Sequence, residues 1–216
     1  MIFVTGDTHG DYEAFSDRSL RQLKKGDKLI ITGDFGFVWD HSKEELKSLS
    51  RLAKKKFDIL FVDGAHENFD LLREYPEVDL YCGKGYKLSS NIYLLKRGEV
   101  YLIDGKTVFA LGGGRAPHDE GYEDTPSMPT DEELKYAVDS IQAHHRKIDL
   151  IITHEAPASV KKLIDKSAAI NDLNIFLDTV MHNTAYGAWY FGSLHEDRKV
   201  SEKLICVFEE VHKVNE

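Results

Sequence analysis

Five times along this chain an apolar run ends and hands over at once to aspartate or histidine. The first is Ile2-Phe3-Val4-Thr5-Gly6-Asp7-Thr8-His9, and the second Leu29-Ile30-Ile31-Thr32-Gly33-Asp34. Then come Ile59-Leu60-Phe61-Val62-Asp63-Gly64-Ala65-His66-Glu67, Leu150-Ile151-Ile152-Thr153-His154 and Trp189-Tyr190-Phe191-Gly192-Ser193-Leu194-His195. Short runs rich in β-branched and aromatic residues are strands. Strands that end in carboxylates and imidazoles bring ligand-type side chains to one edge of a sheet, as a metal-centred active site requires.

The intervening segments predict the connections. Asp11 to Leu23 reads as a helix through Phe15, Leu20 and Leu23. Ser42 with Glu45 is a capping-box pattern opening a helix through Leu46, Leu49 and Leu52. Asn68 to Tyr75 is a short helix stopped by Pro76. This β-α-β-α-β-α order implies a parallel sheet with right-handed crossovers. Strands follow at Asn91 to Lys96, Val100 to Ile103 and Thr107 to Leu111, with Arg97-Gly98 and Asp104-Gly105 as hairpin-type turns. Gly112-Gly113-Gly114 then leads into a polar loop from Arg115 to Pro129, a length often functional. Thr130 with Glu133 caps another helix, Ser159 to Lys166 and Asn171 to Asn183 are helical, and a last strand runs from Lys203 to Val211.

At 216 residues, 42% apolar and 30% charged, the chain suits one soluble domain spanning 1–216. No apolar run reaches membrane-spanning length, and the first strand begins without a leader, so the expected location is the cytoplasm. Cys82 and Cys206 form no CxxC pair and are expected to be buried free thiols. A net charge of -9 argues against an extended nucleic-acid surface. It leaves room for a small phosphorylated substrate or nucleotide, because a bound cation reverses the charge of an acidic site.

Taken singly, each motif has an ordinary explanation, since aspartate after a strand commonly caps a turn. Five in strand context are another matter. Asp7 and His9 are two residues apart and point to one side of an extended backbone. With Asp34 and two further histidines they suit Mn²⁺, Fe or Zn²⁺, with a carboxylate able to bridge two ions.

The ordered series Gly6-Asp7-Thr8-His9, Gly33-Asp34-Phe35-Gly36, Gly64-Ala65-His66-Glu67, Thr153-His154 and Gly192-Ser193-Leu194-His195 resembles the five motifs of the calcineurin-like metallophosphoesterases. The resemblance spans residues 6 to 195 and implies a four-layer α/β/β/α sandwich. It implies hydrolysis of phosphomonoesters or phosphodiesters by metal-activated water, with no covalent intermediate. Asp7, His9, Asp34 and His195 would hold a first metal, with Mn²⁺ expected first and Fe or Zn²⁺ as alternatives. Asp34 would bridge to a second metal held also by His154. His66 would be the catalytic donor at the leaving oxygen, and Arg115 and Glu67 would lie at the substrate.

Two positions depart from the family pattern. Ala65 stands where the family has asparagine and Ser193 where it has histidine, both expected ligands of the second metal. Glu67, Asn68 and His118 are the candidates to replace them. One firmly bound ion and one weak ion are therefore expected, and with them an attenuated enzyme. The changes also fit a catalytically silent phosphoryl-ligand-binding protein, or a chain altered to disable it. A doubly wound nucleotide-binding domain using Gly112-Gly113-Gly114 is a further rival, without GxGxxG or GxxxxGK[ST] to support it.

Overall fold

A computed structural model describes residues 1–16, 19–116 and 125–214. Strands β1 (Ile2–Thr5), β2 (Lys28–Ile31), β3 (Asp58–Phe61) and β6 (Ile92–Leu95) are parallel neighbours. β5 (Gly83–Lys87) and β4 (Glu77–Leu80) extend this sheet antiparallel on one side, and β13 (His212–Lys213) closes the other. The second sheet has β12 (Leu204–Cys206), β10 (Ala185–Phe191), β9 (Lys147–Thr153) and β8 (Lys106–Leu111) in parallel. β11 (Arg198–Lys199) and β7 (Glu99–Ile103) are its antiparallel edges.

Both faces of the central parallel strands are buried, so these strands read as near-continuous apolar runs whose alternate residues serve different layers. Ile30 and Leu60 meet Leu150 and Ile152 between the sheets. Their neighbours Leu29, Ile31, Ile59 and Phe61 face outward, under Phe15, Leu20, Leu52 and Leu72. Ile151, Trp189 and Phe191 lie under Ala137, Ile141, Leu173 and Leu177. The outer layers are α1 (Lys43–Leu52) and α2 (Phe69–Leu72) on one sheet, and α3 (Asp131–Ala143), α4 (Ala158–Ile164) and α5 (Asp172–Asn183) on the other. This is the four-layer α/β/β/α sandwich.

The helix expected over Asp11 to Leu23 is instead two 3₁₀ turns, Tyr12–Ser16 and Ser19–Gln22. Phe15 and Leu20 are both buried but five residues apart, a spacing that one regular helix does not bring to a single face. Strands β4 and β5 escape a reading by apolar pattern because their residues are largely exposed. Asp104-Gly105 does form the hairpin between β7 and β8. Arg97-Gly98 does not make a hairpin, for it carries the chain from one sheet to the other. The last strand expected over Lys203 to Val211 is only β12 in the second sheet, and β13, just beyond that range, joins the first. Both cysteines are free, Cys206 buried and Cys82 exposed rather than buried.

Candidate metal centre

The parallel strands end level with one another. Thr5 pairs with Ile31, Ile31 with Phe61, and Thr153 with both Leu111 and Phe191. The loops that follow therefore leave both sheets along one edge. They are tied together there: the N–H groups of Thr8 and His9 donate to the Asp34 carbonyl at 3.1 and 2.8 Å. His154 Nδ1 lies 3.0 Å from the Thr32 carbonyl, bridging from the second sheet to the first. That carbonyl accepts from Nδ1, so in the neutral ring Nε2 is the nitrogen open to a metal.

Asp7, His9, Asp34 and His195 converge, each offering one ligand atom within 4.8 Å of the others. The Nε2 atoms of His9 and His195 are 3.0 Å apart and aim at a common point. Asp7 is buried, with His195 Nε2 3.3 Å from one oxygen and His154 Nδ1 3.6 Å from the other. Neither approach has hydrogen-bond geometry, and both Asp7 oxygens are without a hydrogen-bond partner. Burial alone raises a carboxyl, but positive charge on His154 and His195 outweighs it and holds Asp7 at about 2. Burial would lower His154, yet Asp7, Asp34 and Glu155 push it up to about 10. Without a bound cation, the imidazoles thus supply the positive charge that this site demands. An anionic, orphaned carboxylate facing convergent imidazoles fits a divalent transition metal.

Asp34 lies between the two halves of the site, 3.9 Å from His9 Nδ1 and 3.9 Å from His154 Nε2. Its carboxylate also accepts from His66, from the backbone N–H at 2.7 Å and toward Nδ1 at 3.0 Å. The half-exposed His66 ring is thereby held with Nε2 turned to other partners.

Backbone conformation at this edge is unusual. His9, Asp34, Ser193 and His195 all have positive φ, at 45, 44, 60 and 50°. Non-glycine residues in that region cluster at functional sites. Two glycines are required by close approach: a Cβ on Gly33 would stand 2.2 Å from His154 Nδ1, and one on Gly192 would stand 2.3 Å from Asp7 Oδ1.

Of the other expected site residues, Ala65 and Ser193 do lie here. A Cβ on Gly114 would meet both the His154 ring and the Ala65 methyl. The Ser193 hydroxyl is buried with no partner. Arg115 is half-buried at the start of its loop, and His118 lies outside the described residues. Glu67 has a structural task besides its expected place. Its buried carboxyl accepts from Phe35 N at 2.7 Å and Gly36 N at 3.3 Å and so braces the Asp34 loop, while the residue also borders the cavity beside His66. Asn68 is likewise engaged, capping α2 and donating to the Trp39 carbonyl. Two N–H groups of the glycine triplet are also taken, Gly113 by the Asp63 carbonyl and Gly114 by that of Ser127. They are not free to cradle a phosphate.

Burial and the Asp34 charge push Glu67 up to about 8, against the two backbone donors. A folded-state value above the ordinary 4.5 means that stability is full at acid pH and is lost as pH rises through about 8. In chelator, the Glu67→Gln variant is therefore expected to melt progressively above the unaltered chain between pH 5 and pH 9. Parallel pH dependences of the two melting temperatures would contradict this.

Sequence reading missed Arg97. Its guanidinium is almost buried, pairs with Asp63 and Glu133, and donates to the carbonyls of Pro126, Ser127 and Met128. It ties the end of β3 to the far end of the polar loop. The available signal was Asp63, a strand-end carboxylate outside the metal motifs that needed a counter-charge of its own.

The family model for calcineurin-like phosphoesterases matches residues 1–196. No curated protein sequence matches the chain. Among solved structures, the crystal structure of a phosphopantetheinyl hydrolase from Mycobacterium tuberculosis has 10% sequence identity and a TM-score of 0.46, over 96% of this chain and 87% of that one.

Proposed function

The chain belongs to the calcineurin-like phosphoesterase family, and from that premise we propose that it hydrolyses phosphate esters around one firmly held divalent cation. The observation that carries this reading is the Asp7 carboxylate, buried without a hydrogen-bond partner among convergent imidazoles. Asp7, His9, Asp34 and His195 hold the cation, Mn²⁺ being the first to test, with Fe and Zn²⁺ as alternatives. When bound, such an ion supplies Lewis acidity toward phosphoryl oxygens and lowers the pKa of water. Asp34 and His154 belong to a second, weaker position, which Ala65 and Ser193 leave short of donors.

The remaining chemistry falls to protein groups. Asp34 orients the His66 ring through its Nδ1, and His66 Nε2 donates a proton to the departing ester oxygen. Arg115 stands at the mouth of the loop and clamps a non-bridging phosphate oxygen. No side chain attacks phosphorus. The cytoplasm is the proposed location.

Removing the donor separates binding from chemistry. The His66→Ala variant is expected to lose about 10²–10⁴-fold in kcat, with Mn²⁺ affinity within about twofold of the unaltered chain. Equal losses of metal and rate would assign His66 to cation binding instead. The reading as a whole is tested by hydrolysis of an aryl phosphodiester in Mn²⁺. Turnover that chelation stops and Mn²⁺ restores supports it, and turnover indifferent to chelation overturns it.

A second reading rests on the same two positions. With no donor at Ala65 and an unpartnered hydroxyl at Ser193, the site also suits a silent protein that binds phosphoryl ligands. Such a protein has no use for a leaving-group acid, so an intact His66–Asp34 pair favours the enzyme.

A further inference from the structure

Beside His66, away from the Asp7 side of the site, lies a cavity of about 340 Å³. Trp39, Ala65, His66, Glu67, Phe69 and Ser127 are among the residues that line it. Trp39 is 53% exposed, which is unusual for the largest apolar side chain, and its position is not a loose one. Its backbone N–H donates to Glu45 Oε2 at 2.7 Å, and its carbonyl accepts from Asn68 Nδ2 at 2.6 Å. Glu45 also takes the N–H groups of Asp40 and His41, so its carboxylate is drawn away from closing a capping box on Ser42. Two side chains from two helix starts thus fix the backbone of one exposed indole at the rim of a cavity shared with the proposed leaving-group donor. An exposed aromatic side chain on a fixed backbone in such a place is a platform for a flat ring, since stacking offers large contact area at small entropic cost.

Resting on the phosphoesterase reading above, we propose that this cavity receives the planar aromatic group of the substrate ester, stacked on Trp39 and next to His66. The substrate class is then an aryl or nucleobase-bearing phosphoester. An alkyl phosphoester offers the indole nothing to stack upon. The volume suits one ring system, at the small end of ligand pockets. The missing side-chain bulk at Ala65 widens the cavity on the side facing the metal residues.

Two tryptophans make the test direct. Trp189 is fully buried, so exposed Trp39 alone is open to quenching by a bound ligand. Phenylphosphonate and methylphosphonate, neither hydrolysable, are titrated into the Mn²⁺-loaded protein while indole emission is followed. Phenylphosphonate is expected to shift the emission and to bind about tenfold more tightly than methylphosphonate, the size of one stacked ring. The Trp39→Ala variant loses that preference, as measured by calorimetry, and Trp39→Phe regains most of it. Equal affinity for the two phosphonates overturns the proposal, as does an unchanged preference in Trp39→Ala. If neither binds while the protein still hydrolyses phosphodiesters, only the aromatic subsite falls. If neither binds and no phosphoester turns over, the phosphoesterase reading falls and takes the subsite with it.

Discussion

The Ala65→Asn, Ser193→His double variant is expected to turn over an aryl phosphodiester on the order of 10²-fold faster than the unaltered chain. A second Lewis acid contributes several kcal/mol to phosphoryl transfer, and each 1.36 kcal/mol is a factor of ten. The local structure suits both changes. The Ala65 methyl and the His154 ring both border the space beside Gly114, so an amide oxygen at position 65 is expected to extend toward the second position. Ser193 has φ 60°, a conformation that histidine adopts more readily than most residues and that His9 and His195 already hold. The buried, partnerless Ser193 hydroxyl gives way to a donor nitrogen. Steady-state kinetics with metal analysis checks the outcome. A variant that gains a second firm ion without gaining rate would show that the missing ligands do not limit the reaction.

Asp7→Asn is expected to cost more than any other single change at the site. Asparagine keeps the shape and removes the charge that a cation requires. The loss expected is at least about 10³-fold in kcat/KM, corresponding to roughly 4 kcal/mol, together with loss of the firmly bound ion. Asp7 is buried beside the imidazoles, and the carboxylate that converges with it, Asp34, already belongs to the same set of ligands. Unchanged melting of the metal-stripped variant, beside loss of Mn²⁺ binding in calorimetry, separates loss of metal from loss of fold. Retained Mn²⁺ binding with full turnover would remove Asp7 from the centre of the account.

Much of this architecture is written locally. The buried strands announce themselves because each carries apolar residues on both faces, as Leu29, Ile30 and Ile31 do. Thr130 and Asn171 begin their helices with full capping boxes. The convergence of Asp7, His9, Asp34 and His195 follows from strand ends in register, and it was legible from the strand-end motifs together with the family resemblance. What escaped depends on partners distant along the chain. β4 and β5 pair through their backbones while exposing most of their side chains. Glu67 adjoins the expected donor His66 in sequence, yet its carboxyl is engaged by the N–H groups of Phe35 and Gly36. Arg97 reads as a turn residue until Asp63, from another strand, pairs with it. Trp39 is one aromatic among many until the fold leaves it uncovered.

The most direct measurement is a Mn²⁺ titration of the metal-stripped chain by calorimetry, with paramagnetic resonance counting the free ion. One tight equivalent is expected, absent in Asp7→Asn, with a second and weaker one emerging only when phosphate is present. Two equally tight equivalents would contradict the assignment of Ala65 and Ser193 as missing ligands. No tight binding at all would contradict the claim that these four residues form a metal centre.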